Sequence, residues 1–181
     1  MTCIVGLVGA DRIYIGADSA GTDSQMGQTI RRDGKLFQNG PYLIGFSGSY
    51  RVGQLIQYAG LPEPAQNDDL PRFMVTTFIE SVRQILKAGG VAQKKEEVES
   101  GGFFLVAIRG RLFNIASDYQ VGESADPFDA TGSGERSALG AMYAMKDATL
   151  GPTVKITTAL EAAERYHAAV RRPFVIRELM T

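Results

Sequence analysis

The chain has 181 residues, of which 44% are hydrophobic and 22% are charged, a balance typical of a soluble globular protein. Its 19 basic and 20 acidic side chains give a net charge of −1, which argues against a nucleic-acid or membrane surface. The single cysteine, Cys3, excludes an internal disulfide and suits a reducing compartment. The sequence shows no basic-then-apolar leader and no long apolar run, so we expect one cytoplasmic domain spanning residues 1–181.

The first half of the chain predicts four strands and two helices. Alternating or β-rich apolar residues place the strands at Thr2–Val8, Arg12–Asp18, Lys35–Phe37 and Tyr42–Phe46. The polar, glycine-containing stretch from Ser19 to Gly34 is expected to be a loop. Helices are predicted over residues 50–60 and over Phe73–Lys87, the second because one face carries Val75, Phe78, Ile79, Val82 and Leu86.

The second half predicts a hairpin, two more helices and a last strand. The hairpin pairs Phe103–Ile108 with Leu112–Ala116, and the run KKEEVE before it is expected to be a solvated connection. A helix begins near Glu135, and another covers Thr158–Val170, with Thr158 and Glu161 at capping-box spacing. A strand at Phe174–Leu179 follows. Two strand clusters, each followed by a helix pair, predict two packed sheets with helices outside.

Thr2 raises a chemical possibility. A residue as small as threonine after Met1 favours removal of that methionine, which would leave a hydroxyl nucleophile beside its own α-amine base. If Val8 faces Arg12 in the first hairpin, Asp18 lies opposite Thr2, with Cβ atoms about 5 Å apart. A one-residue bulge would change that register. Taken alone, Asp18 is better explained as a residue that ends a strand and starts a turn than as a catalytic group.

Lys35 and two glycine–serine turns extend this candidate site. A buried Lys35 ammonium would lower the effective pKa of the hydroxyl, and Asp18 would hold the lysine in place. The segment Ser47-Gly48-Ser49 joins a strand to a helix, where unpaired N–H groups can face an oxyanion. A tight turn with a serine N-cap is the better explanation of this segment when it is considered alone. The segment 132–134 is likewise either a helix cap or an anion-binding nest.

Other reactive side chains fit structural roles better. Cys3 alternates to the strand face opposite Thr2, and His167, the only histidine, is expected to pack against the last helix. Glu123, Asp126 and Asp129 are explained by a solvated loop. We therefore expect no metal site and no cofactor.

The motifs in chain order resemble a known family. They are TCIVGLV at the start, IGADSAGT, Lys35 before a short strand, GFSGS, ATGSGE before a helix, and the closing ALEAAERYHAAVRRPFVIREL. Together they are similar to the catalytic β-subunits of proteasomes, and most of all to the bacterial HslV-type peptidase. The resemblance implies an α+β, four-layer αββα sandwich, with two antiparallel sheets between helices. It also implies a threonine-type endopeptidase that acts through an acyl-enzyme in intracellular protein degradation.

The resemblance assigns roles residue by residue. It implies Thr2 as nucleophile, Asp18 and Lys35 as its supporting pair, Gly48 as oxyanion donor, Ser133 near the threonine amine, Gly21 and Thr22 along the substrate groove, and Phe46 at a shallow specificity pocket. It further implies a homo-oligomeric ring that binds protein or peptide substrates supplied by an ATP-dependent unfoldase. The chain departs from proteasomal β-subunits at Arg165 and Ala168, where those proteins carry an aspartate and a serine that steady the amine.

Two alternatives remain open. The same nucleophile would also serve an N-terminal nucleophile amidohydrolase acting on a small amide, for which an open dimer would suffice. A non-catalytic ring subunit would keep the fold without the chemistry. The presence of Thr2, Asp18 and Lys35 together disfavours the idle subunit, and a closed ring with an interior chamber would favour protein substrates.

Overall fold

Strands dominate the computed structural model, which describes residues 1–23, 25, 27–91, 93–95 and 98–181, and only the backbone of 93–95 and 98–99. The strands are β1 Ile4–Val8, β2 Arg12–Ala17, β3 Ala20–Thr22, β4 Gln28–Ile30, β5 Leu36–Asn39, β6 Tyr42–Ser47, β7 Gln93–Lys95, β8 Val98–Ser100, β9 Phe103–Ile108, β10 Arg111–Ile115, β11 Val121–Gly122, β12 Phe128–Thr131 and β13 Val175–Met180. The helices are α1 Tyr50–Gln57, α2 Leu70–Phe73, α3 Ile79–Ala88, α4 Glu135–Ala144 and α5 Pro152–Tyr166, and a π-helical turn, Met74–Phe78, joins α2 to α3.

The larger strands form two antiparallel sheets. One has the order β12-β1-β2-β13, and the other has the order β11-β10-β9-β6-β5. Two small hairpins, β3-β4 and β7-β8, lie outside these sheets. Because β1 has a partner on both sides, the strand that follows Thr2 is central in its sheet.

Three buried apolar clusters fill the spaces between the layers of the fold. On β1, Ile4 packs into a cluster between the two sheets, whereas the adjacent Val5 packs against α4 and α5. On β6, Leu43 joins the same inter-sheet cluster, whereas Ile44 packs beneath α1 and α3. Neighbouring residues of a strand point to opposite faces, so each sheet buries both of its faces. The expected α+β, four-layer αββα sandwich is confirmed.

The helix predicted at Phe73–Lys87 is interrupted by the π-helical turn, which changes its buried face. Val75 was expected in the apolar stripe, but it is 55% exposed. The wider turn places three exposed residues between the buried Met74 and the buried Phe78. The prediction for Val75 was therefore wrong because it assumed 3.6 residues per turn throughout.

The last helix begins earlier than its sequence indicated. It starts at Pro152 after the N-cap Gly151, and it ends at Tyr166, so the predicted range of Thr158–Val170 was wrong. Proline is favoured in the first helical turn because its φ is preset and its missing N–H is not needed there. Thr158 lies well inside the helix and caps nothing.

Several short strands escaped the sequence analysis. The stretch from Ser19 to Gly34 contains the paired strands β3 and β4, and the KKEEVE run contains parts of β7 and β8, with residues 96 and 97 outside the described residues. Strand β12 matters most, because it pairs with β1 through Ile4 and Thr131. That pairing brings the segment 132–134 to the beginning of the chain.

Gly16 sets how closely α5 approaches the first sheet. A Cβ at this position would lie 2.3 Å from Cγ2 of Ile156 and 3.1 Å from Cδ1 of Leu160, both on α5. We expect Gly16→Ala to lower the free energy of unfolding by about 1–3 kcal/mol through overpacking. Urea denaturation measures the change.

Gly140 provides the matched control for that substitution. It lies in α4, and a Cβ there would meet no described atom within 4 Å. We expect Gly140→Ala to raise the free energy of unfolding by about 0.5–1 kcal/mol, since alanine loses less backbone entropy in a helix. A Gly16→Ala protein as stable as the unmodified protein would contradict this account of the α5 contact.

Candidate active site

The Asp18 carboxylate, just after β2, binds four hydrogen-bond donors. Its Oδ1 accepts from Lys35 Nζ at 2.8 Å and from the Cys3 backbone N–H at 3.0 Å. Its Oδ2 accepts from the backbone N–H groups of Ala20 at 3.1 Å and Arg171 at 3.4 Å. A carboxylate buried this deeply requires such donors, because losing water would otherwise cost several kcal/mol. Asp18 thereby fixes four segments of chain around one point.

Lys35 forms a buried ion pair with this carboxylate. The Lys35 side chain is 2% exposed and the Asp18 side chain is not exposed at all. Burial lowers the pKa of the Lys35 ammonium, and the nearby Asp18 charge opposes that shift. The backbone of Lys35 is held too, because its carbonyl accepts a hydrogen bond from the N–H of Phe46 at 3.1 Å. The ammonium is therefore fixed in place.

The register of the first hairpin differs by one residue from the prediction. Val8 pairs with Ile13 rather than with Arg12, because the Gly9 N–H donates to the Arg12 carbonyl at 2.8 Å and closes a two-residue turn instead of the three-residue turn assumed. Continuing this register past the last ladder pair places Asp18 opposite Cys3, and the Asp18 N–H donates to the Cys3 carbonyl at 3.3 Å. The expected Thr2–Asp18 cross-strand pair was therefore wrong, although the carboxylate binds the residue that adjoins Thr2.

Thr2 is 2% exposed and is enclosed by the turn before α4. Its backbone N–H donates to Ser133 Oγ at 3.1 Å, and its hydroxyl donates to the Met1 carbonyl at 2.6 Å. Its carbonyl accepts from the Gly134 N–H at 3.2 Å. Gly132 has a φ of +98°, and a Cβ there would lie 2.5 Å from the Thr2 carbonyl oxygen, so glycine is needed for this close approach.

Gly48 lies at an open turn between β6 and α1. Its φ of +118° favours glycine, and no described atom lies within 4 Å of the position a Cβ would take. Ser49 caps α1 by accepting from the Arg51 N–H at 3.2 Å, so the capped-turn interpretation of this segment is correct. A cavity of about 340 Å³ adjoins the turn and is bordered by Ser47, Gly48 and the glycines at 101 and 102. The backbone at Gly48 is therefore accessible from this cavity.

The residues expected along the substrate path lie on two strands of different sheets. Gly21 and Thr22 belong to β3, and the Thr22 hydroxyl donates to the Ala169 carbonyl at 3.4 Å. Phe46 on β6 is only 3% exposed, and its ring leaves no room for a side chain on Gly53, where a Cβ would lie 2.3 Å from it. Phe46 therefore fills the space beneath α1.

The remaining reactive residues have structural partners. Cys3 is fully buried, and burial, with the Asp18 charge adding to it, raises the pKa of its thiol to about 12. His167 is half-buried and its Nδ1 accepts from the Ala169 N–H at 3.2 Å. Arg165 and Ala168 are exposed, and neither is among the donors and acceptors described around Thr2.

Glu123 and Asp129 also have partners, and Asp129 lies within β12 rather than in the expected solvated loop. Glu123 binds Arg111, with 2.9 Å between Oε1 and Nε, and Asp129 accepts from the side chain of Asn114 at 3.0 Å. Within the described ranges, no group of three histidine, cysteine or acidic residues is arranged to hold a metal ion. In the same ranges, no helix is both long enough and apolar enough to cross a membrane.

Solved structures of similar fold decide the architecture. BPH from Thiobacillus denitrificans, in complex with epoxomicin, has a TM-score of 0.82 and 25% identity, covering 98% of each chain. HslV from Trypanosoma brucei has a TM-score of 0.71 and 17% identity over 99% of each chain. Anbu from Yersinia bercovieri has a TM-score of 0.63 and 15% identity over 98% of this chain and 81% of that one. No protein-family model matches the chain, and no curated protein does.

The fold is that of the proteasome-like N-terminal nucleophile hydrolases. The resemblance drawn from the motifs is thereby confirmed at the level of fold. Within this proteasome-like fold, the structure brings together Asp18 and Lys35, and separately Thr2 and Ser133. The catalytic roles of these residues stay predictions.

Two contributions to the site were missing from the sequence analysis. The Arg171 N–H reaches Asp18 from the segment after α5, and nothing in the residue type signals a backbone donor. The hydroxyl of Tyr50 is buried beside Phe46 without a hydrogen-bond partner among the described residues. Its position directly after the GFSGS motif was visible in the sequence, but its burial was not.

Asp18→Asn tests the hydrogen-bond network of this candidate site. The amide leaves the buried Lys35 ammonium without its carboxylate, so we expect the free energy of unfolding to fall by about 3–5 kcal/mol. Lys35→Met is the matched comparison and should cost less, because Asp18 then keeps its three backbone donors. Chemical denaturation compares the two, and a larger loss in Lys35→Met would contradict the central role given to Asp18.

The raised pKa of Cys3 predicts an inert thiol. The thiolate is the reactive form, so a pKa of about 12 rather than 9.0 leaves roughly a thousandfold less thiolate at pH 8. We expect iodoacetamide to alkylate the native protein at least a thousandfold more slowly than the chain in urea. Mass spectrometry follows the reaction. Equal rates in the two states would show that Cys3 is accessible and ionised.

Proposed function

We propose that the protein is a threonine-type endopeptidase of a proteasome-like assembly, formed by a single domain over residues 1–181. The observation that carries the proposal is the setting of Thr2: its nitrogen contacts Ser133, and the next residue is bound to the buried Asp18–Lys35 pair. A buried acid–lysine pair, bound to the residue that follows the prospective nucleophile, is suited to support nucleophilic catalysis. The proteasome-like fold supports the same assignment.

The first step is removal of Met1. Met1 is 41% exposed, whereas the following Thr2 is only 2% exposed. Hydrolysis of that bond converts the Thr2 nitrogen into an α-amine and frees the hydroxyl from the Met1 carbonyl. Ser133, already 3.1 Å from this nitrogen, holds the new amine beside the hydroxyl.

The chemical steps then follow from the groups present. Thr2 Oγ1 attacks the substrate carbonyl carbon and gives its proton to the α-amine, while Lys35 favours the deprotonated hydroxyl electrostatically. The N–H of Gly48 donates to the oxyanion, whose approach is open. The C–N bond breaks as the protonated amine passes its proton to the leaving nitrogen. An ester on Thr2 remains, and water activated by the amine hydrolyses it.

The assembly and the substrates form part of the proposal. Anbu from Pseudomonas aeruginosa is a proteasome-like neighbour whose structure is a helical assembly. We propose that this chain likewise associates with copies of itself, but into a closed ring in the cytoplasm rather than into a helix. We propose further that the ring receives unfolded protein from an ATP-dependent unfoldase, and that Gly21, Thr22 and Phe46 line the substrate path. A closed ring distinguishes this function from hydrolysis of a small amide by an open dimer.

Intact mass followed by inhibitor labelling tests the proposal. The purified protein should be lighter than the translated chain by one methionine residue, and epoxomicin, a proteasome inhibitor bound by the neighbour BPH, should add to it covalently. Thr2→Ala should abolish labelling and peptide hydrolysis. Thr153→Ala, at an exposed position on α5, is the matched control and should leave both unchanged.

Two results would contradict the proposed function. In a protein that retains Met1, the Thr2 nitrogen belongs to a peptide bond and is not an α-amine. The Thr2 hydroxyl then lacks its base. A processed protein that neither binds epoxomicin nor cleaves peptides would instead be a non-catalytic subunit or a hydrolase of a small amide.

A further inference from the structure

The outward face of α4 exposes apolar side chains to solvent. Ala138 and Met142 are buried in the apolar cluster beneath the helix, so the opposite side of α4 points away from the fold. On that side Tyr143 is 57% exposed. Leu150, in the connection that follows, and Val154, in the first turn of α5, are 45% and 50% exposed. Exposed apolar side chains that lie close together are typical of a contact surface.

Four exposed positions follow this face of α4 in a series whose spacing is the same from either end. Arg136, Gly140, Tyr143 and Asp147 are separated by four, three and four residues, which keeps them on one side of a helix. Asp147 lies in a turn that continues α4, because the Lys146 N–H donates to the Tyr143 carbonyl at 3.2 Å. The series therefore has a cation at one end, an anion at the other, and an aromatic ring and an open position between them.

Three of these four residues are unfavourable for α4 on its own. The helix dipole disfavours a cation in the first turn, where Arg136 lies, and an anion just after the last turn, where Asp147 lies. Gly140 costs backbone entropy inside the helix, and no described atom within 4 Å of its Cβ position requires a glycine. In the described ranges, neither charge has an ion-pair partner. Local conflicts that share one exposed face indicate a functional surface.

We propose that this face of α4 binds the same face of a second copy of the chain, with the two helices antiparallel across a two-fold axis. The symmetric spacing then places Arg136 of each copy opposite Asp147 of the other copy. It also places the Tyr143 ring of each copy over Gly140 of the other, where the missing side chain leaves room for the ring. The N-terminal end of each α4 meets the C-terminal end of the other, so the helix dipoles attract.

Charge complementarity favours a second copy over an unrelated partner. Both charged ends of the series find the opposite charge on an identical surface. Lys146, whose ammonium lies 4.5 Å from the centroid of the Tyr143 ring, faces the uncharged Ser137 of the other copy in this alignment. Because the contact uses one patch on both copies, a single pair satisfies it. It is therefore different from the head-to-tail contact that closes a ring, and it does not depend on the peptidase function.

Charge reversal tests this contact without disturbing the fold. Arg136→Asp or Asp147→Arg alone places like charges opposite each other in a pair of identical copies, so we expect association to weaken at least tenfold. Both changes suit the α4 dipole better than the native residues do, so the variants should fold. Mass photometry over a dilution series should show particles with half the mass of the unmodified ones. Arg51→Asp is the matched control, at the exposed second position of α1, and should leave the mass unchanged.

Mixing the two variants shows whether the contact joins different chains. A copy with Arg136→Asp and a copy with Asp147→Arg present opposite charges at both ends, so an equimolar mixture should recover the full mass. Gly140→Leu fills the space for the Tyr143 ring, and it should halve the mass even in chains that carry both reversals. An unmodified protein that never pairs, or single variants with unchanged mass, overturns the proposal. A full mass in doubly reversed chains but not in the mixture places the charge pair within one chain, and this outcome also overturns it.

Discussion

The carboxylate of Asp18 is the interaction on which the candidate site depends. It joins the start of β1, the start of β3, the residue before β5 and the segment after α5. Cys3, Lys35 and Arg171 lie 15, 17 and 153 residues from Asp18 in sequence, and only Ala20 is local to it. A buried charge tolerates little displacement of its donors, because each lost hydrogen bond exposes an unpaired polar group to an apolar surrounding. Asp18 therefore holds its four donor groups in a fixed arrangement.

The layered architecture explains why this arrangement lies at the beginning of β1. Both faces of β1 are covered, by the second sheet on one side and by α4 and α5 on the other. The residue before β1 is consequently buried although it is almost at the chain terminus. Strand β12 adds the turn that contains Ser133, and Gly132 lets this turn come close enough to contact Thr2. The turn at Gly48 remains open.

The sequence predicted the elements whose pattern is local. Phe103–Ile108 was predicted with its observed bounds, because a run of apolar β-formers between glycine turns leaves little ambiguity. The hairpin register was wrong because one residue in a turn decides it, and turn length is weakly encoded. The face of the helix around Val75 was wrong because a π-helical turn changes the period and depends on tertiary packing.

The candidate site was predictable in chemistry and less so in geometry. An acid and a lysine beside a threonine indicated the buried pair, and the structure brings Asp18 and Lys35 into contact. Backbone donors such as the Arg171 N–H leave no trace in residue identity, and the burial of the Tyr50 hydroxyl is a property of the folded molecule. The donors of Asp18 also bear on divergence: three of the four are main-chain N–H groups, which every substitution except proline retains. Selection on the surrounding side chains can therefore relax while the carboxylate keeps its setting, so related sequences can drift far apart around an unchanged centre.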